Sequence, residues 1–216
     1  MITAVISDFG GVLTSPLLDT FAAFGDAYGI SAEQLGKAFA ALMERGGANP
    51  IFELETGRMS EAEFLESLGV ELAEQLGRPV EMSGFGEHFF ERLHANERMI
   101  EYMRELRARG YKLAICTNNV REWEARWRAM LPVDEIFDVV VDSAFVGMRK
   151  PEPEIYRLTL DRLGVAAADS LLIDDVELNC QGARDVGIAA VWFQSDEQAI
   201  ADVEAALNGA GSVPSG

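Results

Sequence analysis

Ile2-Thr-Ala-Val-Ile-Ser-Asp-Phe-Gly-Gly-Val-Leu-Thr14 opens the chain and decides how the rest of it folds. Short, apolar and β-branched up to Asp8, then broken by Gly10-Gly11, it has the pattern of a strand buried on both faces. Such strands belong to parallel sheets, and a carboxylate stands at this one's carboxyl end.

The remainder of the chain supplies the partners. After Asn96 the pattern alternates. A helix over Glu97–Arg109 stops at Gly110 and is followed by a strand over Tyr111–Cys116. A helix carrying Trp123 and Trp127 precedes a strand over Phe137–Val141. Then come a helix over Glu152–Leu163, a strand over Leu171–Asp174, a helix over Glu177–Val186, a strand over Ile188–Phe193 and a helix over Glu197–Leu207. Strands alternating with helices predict an α/β fold, a Rossmann-like three-layer core around a parallel sheet.

Between the first strand and Arg92 the rhythm is helical only. A helix over Leu17–Tyr28 ends at Gly29. Ser31 and Gln34 form a capping box for a helix to Arg45, Asn49-Pro50 opens a short helix ending near Gly57, and Ser60 and Glu63 cap another that is expected to end at Gly69. The expected division is a core of 1–15 and 93–208, a helical cap of 16–92, and a flexible tail of 209–216.

Bulk composition narrows the function. With 36 acidic and 18 basic residues the net charge is −18. That surface repels nucleic-acid backbones and anionic lipid, so neither is an expected partner. No run approaches the roughly 20 apolar residues of a membrane span, and no basic-then-apolar leader opens the chain; a cytoplasmic location is expected. Cys116 and Cys180 lack metal or redox spacing and are read as buried thiols. The oligomeric state is left open.

In parallel α/β sheets ligands gather beyond the carboxyl ends of the strands. Asp8 ends the first strand, Thr117 the second, Asp174-Asp175 the fourth, and Lys150 lies in Gly147-Met-Arg-Lys-Pro151 after the third. Each alone has an ordinary explanation: a turn former, a helix cap, a solvated lysine. Together they suit phosphoryl chemistry. A carboxylate cannot approach a phosphate dianion unless a divalent cation and a lysine offset the repulsion.

These residues resemble the four signatures of the haloacid dehalogenase superfamily, in order and over nearly the whole chain: Asp8-Phe-Gly-Gly-Val-Leu-Thr14, Thr117, Lys150-Pro151 and Ile173-Asp-Asp-Val-Glu-Leu-Asn179. Thr117-Asn118, Val146-Gly-Met-Arg-Lys-Pro-Glu-Pro153 and Phe52-Glu-Leu-Glu-Thr-Gly-Arg-Met-Ser60 resemble the branch holding the phosphatase domain of soluble epoxide hydrolases and bacterial glucose 1-phosphate phosphatases. The resemblance implies a hydrolase with Asp8 as nucleophile and with Thr117, Asn118 and Lys150 holding the transferring group. It implies magnesium on Asp8, the Gly10 carbonyl and Asp175, with Asp174 and Asn179 supporting the metal or ligating it. The expected partner is a small phosphorylated metabolite.

One departure bears on activity. Phosphatases of this family usually carry a second Asp, the general acid–base, two residues after the nucleophile; here Gly10 stands there. Three alternatives follow: a phosphatase for leaving groups that need little protonation, such as anomeric, acyl or aryl phosphates, or one that borrows an acid from the cap or the substrate; a 2-haloacid dehalogenase, since halide departs without a proton; or a weakly catalytic binder of phosphorylated metabolites. His88 and His94 are read as packing or surface residues, Trp123 and Trp127 as a core or dimer contact with a substrate wall as the alternative, and Phe21, Phe24, Phe39, Phe52 and Phe64 as the cap core, with a substrate-facing place left open for some of them. Arg149 is read as solvated, Arg45 and Arg58 as candidates for a second anionic group, and Glu177 as a metal helper or helix-start residue.

Overall fold

The computed structural model describes residues 1–17, 25, 28–82 and 84–209. Five strands form one parallel sheet: β1 (Ala4–Ser7), β2 (Lys112–Thr117), β3 (Val139–Asp142), β4 (Ser170–Asp174) and β5 (Ala189–Trp192). Their order is β3-β2-β1-β4-β5, with Ser7 level with Ile115 on one side and Ile173 on the other. The chain builds outward from β1 first through β2 and β3, then on the opposite side through β4 and β5. The direction of winding therefore reverses at β1, the place where ligands enter such sheets.

Side chains alternate between the two faces of the sheet. Ala4, Ile6, Ala114, Cys116 and Leu172 pack against the helices carrying Ile155, Tyr156, Cys180 and Ala183. Val5, Leu113, Ile115, Leu171 and Ile173 face the other way, in a cluster continuous with Phe64, Leu68 and Leu72 of the helical stretch. This period of two follows from the pleat. Both cysteines are free and buried, as their settings suggest.

The helical stretch contributes α1 (Ala32–Gly46), α2 (Pro50–Glu55), α3 (Glu61–Leu76) and α4 (Phe85–Arg92). Ser31 and Ser60 make the expected capping boxes with Gln34 and Glu63, and Asn49 caps α2 with Pro50 at its first turn. No strand occurs among the described residues between Leu17 and Arg92. The chain leaves and re-enters the core at adjacent points, where Thr14 bridges Ala95 and the Ser15 N–H donates to the His94 carbonyl at 2.8 Å. The expected helix over Leu17–Tyr28, with Phe21 and Phe24, lies largely outside the described residues.

Gly69 does not end α3. The helix continues to Leu76 and is capped by Gly77 with φ 65°. A Cβ at Gly69 would sit 3.2 Å from Met82 Cγ, so the glycine lets the 80–82 segment pack close against the helix. The Trp-bearing element is also broken: Trp123 closes a 3₁₀ turn (Arg121–Trp123) and Trp127 lies in α6 (Glu124–Arg128). The strand expected over Phe137–Val141 begins only at Val139, because Val133–Ile136 forms a short helix, α7.

The other core helices are α5 (Glu97–Ala108), α8 (Ser143–Val146), α9 (Pro153–Leu163), α10 (Glu177–Asp185) and α11 (Asp196–Leu207). Among the described residues no helix is long and apolar enough to cross a membrane.

Candidate active site

Asp8 follows β1 directly, and its N–H donates to the Ile173 carbonyl at 2.9 Å, so the sheet ladder fixes its backbone. Its Oδ1 accepts the Phe9 N–H at 2.7 Å and lies 2.9 Å from Lys150 Nζ. Lys150 is fully buried, and its ammonium also lies 2.6 Å from Asp174 Oδ2. Burial works against the ammonium, yet Asp174 and Asp8 hold its pKa well above that of a free lysine. The lysine therefore stays charged and bridges the ends of β1 and β4.

The two consecutive aspartates differ in setting. Asp174 is fully buried. Its Oδ2 meets Lys150, and its Oδ1 accepts from the Val176 N–H at 2.9 Å and from Asn179 Nδ2 at 3.0 Å. Asp175 is only half-buried. Gly11, with φ 79°, faces it closely: a Cβ there would stand 2.1 Å from Asp175 Oδ2.

Carboxylate oxygens of Asp8, Asp174 and Asp175 can all lie within 4.8 Å of one another. Burial, opposed by Lys150 and reinforced by Asp174 and Asp175, pushes the Asp8 carboxyl up to about 7. Burial and then Asp174 push Asp175 up to about 6. One lysine does not neutralise three neighbouring carboxylates. A hard divalent cation with oxygen ligands would complete the balance, and the donor set fits magnesium.

Thr117 ends β2 and is buried, beside Asn118. The Asn118 amide is tied to the backbone of Lys150. Its Oδ1 accepts from the Lys150 N–H at 2.8 Å and its Nδ2 donates to the Lys150 carbonyl at 3.0 Å. This two-point clasp holds the lysine's backbone. Gly10 stands where the family's usual second Asp would be. A Cβ there would meet Leu17 Cδ1 at 2.7 Å, the movable end of a side chain.

The arginines sort differently from expectation. Arg149 is not solvated: its Nε lies 2.7 Å from Glu55 Oε2, and its guanidinium sits 3.7 Å over the Phe52 ring. Ser143 Oγ donates to the Glu55 carbonyl, so α2 is fastened to the start of α8, directly after β3. Arg45 pairs with Glu71 and Glu74, and Arg58 pairs with Glu53; neither lines the cavity beside the site. Glu177 pairs with Arg184 at 2.7 Å.

That cavity is what the residue-by-residue reading missed. About 340 Å³ in volume, it runs from Phe9, Gly10, Thr117 and Asn118 into the space between the core and α1, α3 and α4. Phe39, Phe64, Trp123 and Trp127 line it, so these rings do more than fill a core. The sequence signal was the density of aromatic residues in the helical stretch, but which rings face inward depends on how four elements meet.

A family model for haloacid dehalogenase-like hydrolases matches residues 2–187. Bifunctional epoxide hydrolase 2 of Sus scrofa is 26% identical over 214 residues, 93% of this chain and 38% of that protein. Glyceraldehyde 3-phosphate phosphatase of Pyrococcus abyssi is 38% identical over 92 residues, 41% of this chain and 38% of that one. The alignments thus span well under half the length of these curated relatives. Among solved structures, a HAD family enzyme of Bacteroides thetaiotaomicron in complex with magnesium and inorganic phosphate superposes with a TM-score of 0.64. It is 21% identical, over 90% of this chain and 95% of that chain, a likeness of fold.

Proposed function

The chain belongs to the haloacid dehalogenase-like hydrolases, and from that premise we propose that it is a magnesium-dependent phosphatase for a small phosphorylated metabolite, with Asp8 as nucleophile. The observation that carries this reading is the buried Lys150 held 2.9 Å from Asp8 and 2.6 Å from Asp174, with Asp175 alongside.

Asp8 and Asp175, with the Gly10 carbonyl, would hold magnesium, which when bound supplies positive charge beside the phosphoryl oxygens. Asp174 has both oxygens engaged and instead fixes Lys150. Phe9 N–H and Lys150 set the Asp8 carboxylate's orientation. Asp8 attacks phosphorus as the bond to the leaving oxygen breaks, and that oxygen departs with the electron pair. Lys150 and Thr117 donate to the phosphoryl oxygens. Water then attacks phosphorus, which releases inorganic phosphate and restores Asp8.

With Gly10 unable to give a proton, the leaving oxygen must be weakly basic, since losing a general acid costs about 10²–10⁴ in rate. The helices of 16–92 serve as the cap that encloses the leaving group, and residues 1–15 and 93–208 as the core. The test is phosphate release from aryl, acyl, anomeric-sugar and alkyl phosphates, with magnesium and with chelator. Magnesium-dependent turnover of the first three classes, abolished in Asp8→Asn, is expected. Failure to turn over any of them sinks the proposal.

Gly10 also favours a second reading, loss of halide from a 2-haloacid. That substrate's carboxylate would need a cation, and the described residues lining the cavity include no Lys or Arg. Metal-independent halide release would nevertheless establish it.

A further inference from the structure

We infer that the organic part of the substrate is apolar: a phosphate carried on an aryl or similarly weakly basic oxygen, with an alkyl or ring extension. The inference rests on the phosphatase reading and goes on to say what leaves.

The cavity opens beside Gly10, Thr117 and Asn118, where a leaving group bonded to phosphorus would project. Its volume of about 340 Å³ falls at the small end of ligand pockets, which run from about 300 to 1,000 Å³. The walls are rings and aliphatic chains: Phe39, Phe64, Leu68, Phe89, Trp123 and Trp127.

Among the described residues, the polar groups that reach the cavity are largely spent. Both ends of the Asn118 amide are on the Lys150 backbone. Glu61 Oε1 accepts the Trp123 indole N–H at 2.9 Å. Glu55 is tied to Arg149 at 2.7 Å. A sugar ring would have to bury several hydroxyls against these walls, and each unpaired one costs roughly tenfold in affinity. An apolar group gains instead, by roughly fourfold for each methylene taken out of water. Aromatic walls also suit aromatic groups, through stacked and edge contacts.

Gly10 and the cavity converge on one substrate type. The missing acid calls for a leaving oxygen of low basicity, and the walls call for an apolar body. A substituted phenyl phosphate meets both.

A series of 4-alkylphenyl phosphates separates the two demands, because the phenol's acidity barely changes as the alkyl group grows. With magnesium present, kcat/KM is expected to rise about fourfold per methylene until the cavity is filled, and to exceed that for glucose 1-phosphate throughout. Leu35→Phe, which takes volume from the cavity wall, should move the maximum to a shorter alkyl group. A flat or falling series, a preference for glucose 1-phosphate, or an unmoved maximum in Leu35→Phe would overturn the inference and leave the phosphatase reading standing.

If no phosphate ester is turned over, the phosphatase reading fails, and binding still decides the apolar claim. The 4-alkylphenyl phosphonates should change the fluorescence of Trp123 and Trp127 with affinity rising along the series. Equal affinity along the series would refute it.

Discussion

Replacing Lys150 with methionine is the sharpest probe of the site, because it removes one charge and little volume. The ammonium is fully buried and contacts two carboxylates, at 2.9 Å and 2.6 Å. Taking away one partner of a buried ion pair typically costs about 3–5 kcal/mol, because the other charge stays desolvated and unpaired. Two carboxylates lose their partner here, so a value near the upper end is expected. For a chain of this size each kcal/mol moves the midpoint by about 2–4 °C, which places the drop near 10–20 °C.

The pH dependence follows from the direction of the Asp8 shift. Its carboxyl already sits at about 7 in the folded chain, against 3.8 for an unperturbed aspartate. A carboxyl whose folded pKa is raised favours the fold when protonated, and that stability is lost as pH rises between the two values. Without Lys150 the folded value climbs further. The deficit of Lys150→Met relative to the natural chain should therefore be large at pH 8 and shrink toward pH 5. Urea unfolding in chelator, at both pH values, measures this. Equal midpoints at pH 8, or a deficit that grows as pH falls, would refute the account of Lys150 as the charge that holds the carboxylates together.

Three further expectations concern the neighbours. Gly10→Asp should be hindered by Leu17, whose Cδ1 lies 2.7 Å from the place a Cβ would take, whereas Gly10→Asp with Leu17→Ala should raise kcat on alkyl phosphates by about 10-fold or more; no gain in the double variant would mean that protonation does not limit the rate. Gly11→Ala, with φ 79° and a Cβ 2.1 Å from Asp175 Oδ2, should abolish the rise in melting temperature that magnesium produces, and a thermal-shift titration that still responded would count against Asp175 as a ligand. Arg149→Ala breaks the Glu55 pair and the Phe52 contact, a loss of about 1–2 kcal/mol; amides of α2 should then exchange faster with solvent than those of β1, and unchanged exchange would show that the latch is weak.

Much of this was visible in the chain, for reasons that can be named. Capping residues are local signals, and Ser31, Asn49 and Ser60 mark helix starts where the pattern places them. Gly69 misleads because the stop rule is local, while the reason for that glycine is Met82, thirteen positions on. The groups at strand ends were legible because a parallel sheet brings its carboxyl ends together. The clasp of Asn118 on Lys150 spans 32 positions, and the burial of Arg149 depends on Glu55, 94 positions away. No spacing rule reaches that far. The cavity is harder still, since it belongs to the gap between elements and to no one of them.

Asp174-Asp175 shows how a structure resolves what a motif leaves ambiguous. As adjacent residues of one type, they offer the sequence no means of telling a ligand from a support. Asp174 is the last residue of β4, with its Cα level with Trp192, and the strand turns its side chain into the interior. There both oxygens carry donors, Oδ2 from Lys150 and Oδ1 from Asn179 and the Val176 N–H. A cation reaching it would compete with Lys150 and Asn179 for those oxygens. Asp175 lies one position beyond the strand and faces Gly11, the residue whose missing side chain makes room. Asp174→Asn and Asp175→Asn should therefore differ in kind. The first should disturb Lys150 and lower stability with or without metal. The second should leave the metal-free midpoint near that of the natural chain, or raise it, because it removes a carboxylate that burial has already pushed up to about 6, and should lose the response to magnesium alone. Identical behaviour of the two variants would mean that both aspartates meet the cation, and that Lys150 exchanges partners when it binds.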